Sequence, residues 1–224
     1  MRTPDWSSEN SRIQLYCGDC LEIMPEMQDK SVDLVLTDPP YGIGESNEKN
    51  ASRGNLARPT DYGSYTWDRN KVEPECIAQM IRTSKNQIIF GGNYYGSTLG
   101  DTSCYLVWNK DNTGDFADCE LAWTSFNSAV RIIKWRWNGF LQEDMKHKET
   151  RYHPTQKPVP VFTWILANYS KDDMLVFDPF LGSGTTAIAC IKTGRRCIGI
   201  EKEPKYFDLS VKRIKDELAQ LNLF

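Results

Sequence analysis

Two stretches of this chain carry residue types whose spacing could do chemistry. The first is Val32-Asp33-Leu34-Val35-Leu36-Thr37-Asp38-Pro39-Pro40-Tyr41-Gly42, an apolar run ending in an acid, two prolines and an aromatic ring. Consecutive prolines fix φ and donate no N–H, so the chain leaving the run is extended, with the Pro39 carbonyl available as an acceptor. Asp38 adds a second acceptor. An aromatic amine is a poor nucleophile because its lone pair is delocalised into the ring; two acceptors that hold its N–H bonds out of plane return that pair to nitrogen. Tyr41 offers a face on which such a ring could stack, offsetting part of the cost of drawing a base out of a duplex. Asp-Pro-Pro-Tyr is also an ordinary strand-to-loop turn, but at the carboxyl end of a buried strand it stands where α/β sheets bind ligands.

The second stretch, Met174-Leu175-Val176-Phe177-Asp178-Pro179-Phe180-Leu181-Gly182-Ser183-Gly184-Thr185-Thr186-Ala187, reads as a strand, a glycine-rich turn and a helix start. Gly182 and Gly184 let backbone approach a ligand closely, and the helix N-terminus offers unpaired N–H groups to an anion. Glu201 ends the next apolar run, where an acid can accept both hydroxyls of a ribose. Alone, this half also fits a dinucleotide fingerprint, since Gly182, Gly184 and Ala187 make G-x-G-x-x-A.

Taken as a pair, the two segments resemble the amino-methyltransferases of DNA in the permuted order called the β class, where Asp-Pro-Pro-Tyr precedes the cofactor motif. The match includes His153-Pro154-Thr155-Gln156-Lys157-Pro158 and covers nearly the whole chain. The resemblance implies S-adenosylmethionine as cofactor and double-stranded DNA as partner, with a base flipped out and methylated on its exocyclic amino group. Asp38, Pro39, Pro40 and Tyr41 are then catalytic. Asp178, Gly182, Gly184 and Thr185 line the methionine end of the cofactor, with Phe180 and Ser183 of the same turn. Thr155 and Lys157 stand near its carboxylate, Glu201 holds the ribose and Asp19 reaches the adenine ring. Asp19 and Thr185 could equally cap the helices that follow them. His153, before proline, is expected to order a turn and is left out of catalysis. Asp rather than Ser before Pro-Pro-Tyr favours adenine N6, with cytosine N4 and then RNA adenine as alternatives. No Pro-Cys dipeptide supplies the thiol that attack on a ring carbon needs. A nicotinamide enzyme would leave the diproline segment unexplained; an inactive DNA-binding regulator is the reading of another class.

The net charge of -3 does not advertise nucleic acid, but its distribution does. Between Arg131 and Pro158 seven Lys/Arg face three Asp/Glu, a local +4 that leaves the rest at -7. Arg131, Lys134, Arg136, Lys146, Lys148 and Arg151 are therefore the candidate DNA contacts. Trp135, Trp137, Phe140 and Tyr152 are interleaved with them, as where phosphates are neutralised and bases stacked. A short recognition segment is expected around 131–152. Because relatives with strict specificity carry more chain there, recognition would be relaxed, or shared with the polar loop 44–71 or a second subunit.

These motifs need elements to hold them. Short apolar runs alternate with amphipathic stretches, the α/β rhythm. Strands are expected at 13–17, 32–37, 87–90, 105–108, 120–123, 130–134, 174–177 and 197–200, and helices at about 160–169, 185–193 and after Pro204. The runs from 105 to 134 follow one another without a helix, predicting antiparallel strands at one sheet edge. The fold class is α/β, a doubly wound, mainly parallel Rossmann-like methyltransferase sheet with antiparallel edge strands, in one domain over 1–224. No run approaches a membrane span, and seven cysteines spread from Cys17 to Cys197 suggest buried thiols rather than disulfides or zinc. The chain is thus expected to be cytoplasmic, of prokaryotic or phage origin, with no metal. A homodimer and a cognate restriction endonuclease are the remaining partner expectations.

Overall fold

A computed structural model describes residues 1–42, 71–112, 117–138, 141–153 and 155–221. In chain order these form β1 (Trp6–Ser7), β2 (Ile13–Cys17), α1 (Cys20–Ile23), β3 (Val32–Thr37), α2 (Pro74–Thr83), β4 (Ser84–Phe90), α3 (Gly96–Leu99), β5 (Tyr105–Asn109) and β6 (Cys119–Thr124). There follow β7 (Arg131–Lys134), β8 (Trp137–Asn138), β9 (Leu141–Gln142), α4 (Val159–Tyr169), β10 (Leu175–Asp178), α5 (Thr185–Lys192), β11 (Arg196–Glu201) and α6 (Pro204–Leu221). Nine strands make one sheet in the order β1-β2-β11-β10-β3-β4-β6-β5-β7. From β2 to β4 every pairing is parallel.

The apolar runs are strands because both their faces are covered. Successive residues point to opposite sides: Leu34, Leu36, Ile88 and Phe90 pack with α4, α5 and α6, while Val35 and Ile89 pack with α1, α2 and α3. The Phe90 and Phe162 rings stack at 5.4 Å across the first of these layers. The result is helices on both faces of a mainly parallel Rossmann-like sheet, as expected.

The antiparallel edge differs in detail. Only β6 and β1 oppose the majority: β6 runs against β4 and β5, and β1 against β2, whereas β7 joins β5 in parallel. The chain from β6 therefore crosses the end of β5 before adding β7 outside it. Helix α2, the crossover between parallel strands β3 and β4, has no counterpart among the expected helices. Its buried stripe, Cys76, Ile77, Met80 and Thr83, falls at helical spacing, but the helix is short and adjoins a long polar stretch of sequence. The loop expected over 44–71 lies, apart from Lys71, outside the described residues.

Candidate active site

Parallel neighbours end on the same side, so the sheet brings four strand ends together: Thr37 before Asp38, Asp178, Glu201, and Cys17 before Asp19. Above them lies a cavity of about 560 Å³, lined among others by Asp19, Asp38, Lys157, Asp178, Gly182 and Glu201. Phe180, Ser183, Thr155, Thr185 and Pro40 also line it; Pro39, Tyr41 and Gly184 do not. Residues 141 apart in sequence meet here, since the Thr37 hydroxyl donates to Asp178 Oδ1 at 2.7 Å.

One half of the cavity is built by the glycine turn. Asp178 accepts from the Thr37 and Thr186 hydroxyls and from the Phe180 N–H. Burial pushes its carboxyl up to about 6, against the pull of those donors. Glu201 accepts from the N–H groups of Gly182 at 2.7 Å and Glu203 at 2.8 Å, and burial pushes it up to about 7. Gly182 and Gly184 adopt φ of +54° and +87°, a left-handed backbone that side chains disfavour. Their surroundings differ: a side chain at Gly182 would meet open space bounded by the Phe180 carbonyl, whereas one at Gly184 would press on Ser210 of α6. Gly184 is the N-cap of α5. The Thr185 hydroxyl donates instead to the Lys157 carbonyl at 3.2 Å, so the expected Thr185 cap is not formed.

Asp19 does cap α1, accepting from the Leu21 N–H at 2.9 Å, and also holds the Lys202 ammonium at 2.8 Å. Burial raises its carboxyl, but those two partners outweigh it and hold it below the ordinary range. Ser183 donates to the Gln156 side chain, and Thr155 contacts His153 Nδ1 through its hydroxyl at 3.1 Å. Burial and then the charges of Lys157 and Arg151 drive the His153 ring down to about 3, so it is neutral near pH 7.

The other half is built by the diproline turn. Asp38 Oδ1 accepts from the Tyr41 hydroxyl and Oδ2 from Lys157 Nζ at 2.6 Å. Lys157, only 7% exposed, also lies 2.9 Å from Glu120 Oε2, and Lys110 closes on the other oxygen of Glu120. The Lys157 ammonium thus stands between two carboxylates on the diproline side. Desolvation disfavours all three charges. Asp38 is left above the ordinary carboxylate range, while the attraction of Lys157 and Lys110 holds Glu120 below it. Lys157 is lifted above the ordinary range because Asp38 and Glu120 outweigh its burial.

Tyr41 packs face to face on Tyr94, with ring centres 4.9 Å apart, and Tyr95 donates to the Pro40 carbonyl, pinning the turn. Gly91, at φ +73°, makes room for this: a methyl group there would overlap the Tyr41 ring.

Sequence reasoning missed Glu120, Lys110, Tyr94, Tyr95 and Gly91. The available signal was Glu120 itself, an acid in the otherwise uncharged strand Cys-Glu-Leu-Ala-Trp-Thr, where a charge is costly unless paired.

The basic segment divides. Arg131 and Lys134 are exposed on the edge strand β7, and Lys146 and Lys148 are exposed beyond β9. Arg136 is engaged by Asp111, and Arg151 lies 5.6 Å over the Trp137 ring. Trp137 belongs to the core and Trp135 packs against it. These two tryptophans are therefore not exposed faces for bases: their spacing reflected burial. Phe140 lies outside the described residues.

A mainly parallel α/β sheet with facing acid and glycine turns at its carboxyl ends is a Rossmann-like architecture. The profile of the DNA methylase family N6_N4_Mtase matches residues 107–212, a span that holds the glycine turn and Lys157 but not Asp38. The chain is similar to the type II methyltransferase M2.MboI of Moraxella bovis, 28% identical over 94% of this chain and 90% of that one. Among solved structures, an M1.HpyAVI–SAM complex superposes with TM-score 0.57 at 24% identity, covering 90% of this chain and 99% of that one. PvuII DNA methyltransferase (cytosine-N4-specific) superposes with TM-score 0.63 at 15% identity, covering 96% and 94%. By motif order and by these matches the chain is similar to the DNA amino-methyltransferases of the N6-adenine and N4-cytosine kind.

Proposed function

We propose that this protein transfers a methyl group from S-adenosylmethionine to the N6 amino group of adenine in double-stranded DNA, with the target base flipped out. One observation carries the reading: the Asp38 carboxylate and the Gly182 turn line the same cavity. The residues fit the cofactor. Glu201 and Asp178 are buried carboxylates held by neutral donors, suited to a ligand bearing hydroxyls and positive charge, and Gly182 faces open space where a side chain would intrude. When bound, S-adenosylmethionine supplies an electrophilic methyl group on a sulfonium.

The chain supplies position. Asp38 and the Pro39 carbonyl accept the two N–H bonds of the amino group and hold them out of the ring plane, leaving the nitrogen lone pair directed at the methyl carbon. With the cofactor bound, the N–C bond would form as the S–CH3 bond breaks, leaving a neutral thioether, and the methylated nitrogen would pass one N–H proton to solvent. Orientation of this kind is worth about 7–11 kcal/mol. Thr155, Thr185, Phe180, Ser183 and Gly184 shape the cofactor half, Asp19 meets its adenine, and Tyr41 supports the target base. Arg131, Lys134, Arg136, Lys146, Lys148 and Arg151, in the segment 131–152, contact the DNA backbone. Adenine is favoured over cytosine because an acid, rather than serine, precedes Pro-Pro-Tyr. Partner readings are a homodimer and a cognate endonuclease, in a cytoplasmic setting; among the described residues no helix is long and apolar enough to cross a membrane.

The test is incubation with methyl-labelled cofactor and DNA of varied sequence, digestion to nucleosides and mass spectrometry. Label on N6-methyladenosine is expected. Label on N4-methylcytosine would overturn the choice of base, and no labelled nucleoside would overturn the activity.

A further inference from the structure

Asp38 must offer its oxygens to an incoming amino group, yet one is already taken by Tyr41 and the other by the Lys157 ammonium at 2.6 Å. An ammonium N–H on a carboxylate is the same kind of contact that the amino group has to make. Lys157 therefore occupies the place of the substrate's donor. It is too buried to retreat into water, where it would otherwise be compensated. Glu120 provides the alternative. Its Oε2 lies 2.9 Å from the same nitrogen, buried and without an aligned hydrogen bond, so a short swing of Nζ exchanges one carboxylate for the other. Lys110 against the second oxygen keeps Glu120 ionised and fixed at the end of the β5–β6 ladder.

We propose that Glu120 is a positioning residue for methyl transfer, the docking point that draws Lys157 off Asp38 when the target amino group arrives. The inference rests on the proposed amino-methylation and adds a residue that touches neither base nor cofactor. It also explains why four charges cluster around one buried ammonium. Asp38 and Glu120 balance Lys157 and Lys110, so Lys157 can change partner without altering the net charge of the pocket.

The test compares binding of two DNAs that differ only at the position found to be methylated, one with the amino-bearing base and one with hydrogen in place of the amino group. Wild-type protein is expected to prefer the amino-bearing DNA. Glu120→Gln should lose that preference and slow single-turnover transfer by about tenfold or more, the scale of coupling between contacting residues, with cofactor affinity unchanged. Removing the competitor as well, in the Glu120→Gln/Lys157→Met double variant, should restore the preference. If Glu120→Gln does not fold, Glu120→Asp, whose carboxylate falls short of Lys157, should show the same loss in weaker form.

A general structural role would weaken both DNAs equally and leave the double variant no better, which overturns the inference. Wild-type protein that methylates DNA while Glu120→Gln keeps the full preference also overturns it, leaving the proposed function intact. Wild-type protein that transfers no label removes both.

Discussion

The two halves of the cavity handle buried carboxylates in opposite ways. On the glycine-turn side, Asp178 and Glu201 are held by backbone N–H groups and hydroxyls, and their carboxyls rise to about 6 and about 7. On the diproline side, Asp38 and Glu120 share the ammoniums of Lys157 and Lys110. The first half pairs its carboxylates with neutral donors and is short of positive charge, as suits a cationic, hydroxyl-bearing ligand. The second is already neutral, as suits an uncharged base. Polar burial alone does not mark a site; what completes the burial tells which kind of ligand belongs there.

The largest test of this contrast is Asp38→Asn. It should reduce methyl transfer by about 10²–10³ or more, the scale of losing one aimed polar contact in a dry site, while calorimetry shows cofactor binding little changed. Equal loss of both would mean that the halves are not separate. Next is Gly91→Ala, which forces Tyr41 away from Asp38. A rate loss of about tenfold or more is expected, with cofactor affinity again retained, since the damage is confined to packing on the diproline side.

A smaller effect sits on the other half. Below about 7 Glu201 is protonated in the ligand-free protein, so a ligand donating hydroxyls to its carboxylate releases a proton on binding. Affinity for S-adenosylmethionine should then rise with pH up to about 7, by at most about tenfold per unit, and Glu201→Gln should flatten the rise. The same raised carboxyl contributes stability that is full below its ordinary value of 4.5 and lost as pH climbs through about 7. Thermal melts should show the ligand-free protein weakening over that window more than the loaded one. The smallest effect lies outside the cavity. Lys134→Ala and Arg131→Ala should each weaken DNA binding only a few-fold and lower the salt slope of log K by about one. An unchanged slope would remove β7 from the DNA surface.

Much of the frame was legible because it depends on local pattern. Buried strands announce themselves as apolar runs, so β2, β3, β10 and β11 were expected within a residue or two, and with them the positions of Asp38, Asp178 and Glu201. Helix α6 was equally plain from its periodicity. What escaped was relational. Lys157 was singled out, but its bond to a carboxylate 119 residues away has no local signature. The two tryptophans among basic residues looked like a nucleic-acid surface, but Trp137 is core and Trp135 packs against it, because aromatic spacing alone does not distinguish stacking on a base from packing on a neighbour. Helix α2 escaped because its apolar stripe is short and follows a long polar stretch, and β7 ran the other way because strand direction depends on where the chain crosses rather than on composition.

The hydroxyl of Thr37, one residue before Asp38, is fastened to Asp178 on the adjoining strand. That latch turns two separately recognisable motifs into a single joint. Grafting either turn alone onto another sheet would transplant half a hinge without its pin, and an inserted or deleted residue in β3 would unseat the neighbouring strand's acid as surely as its own.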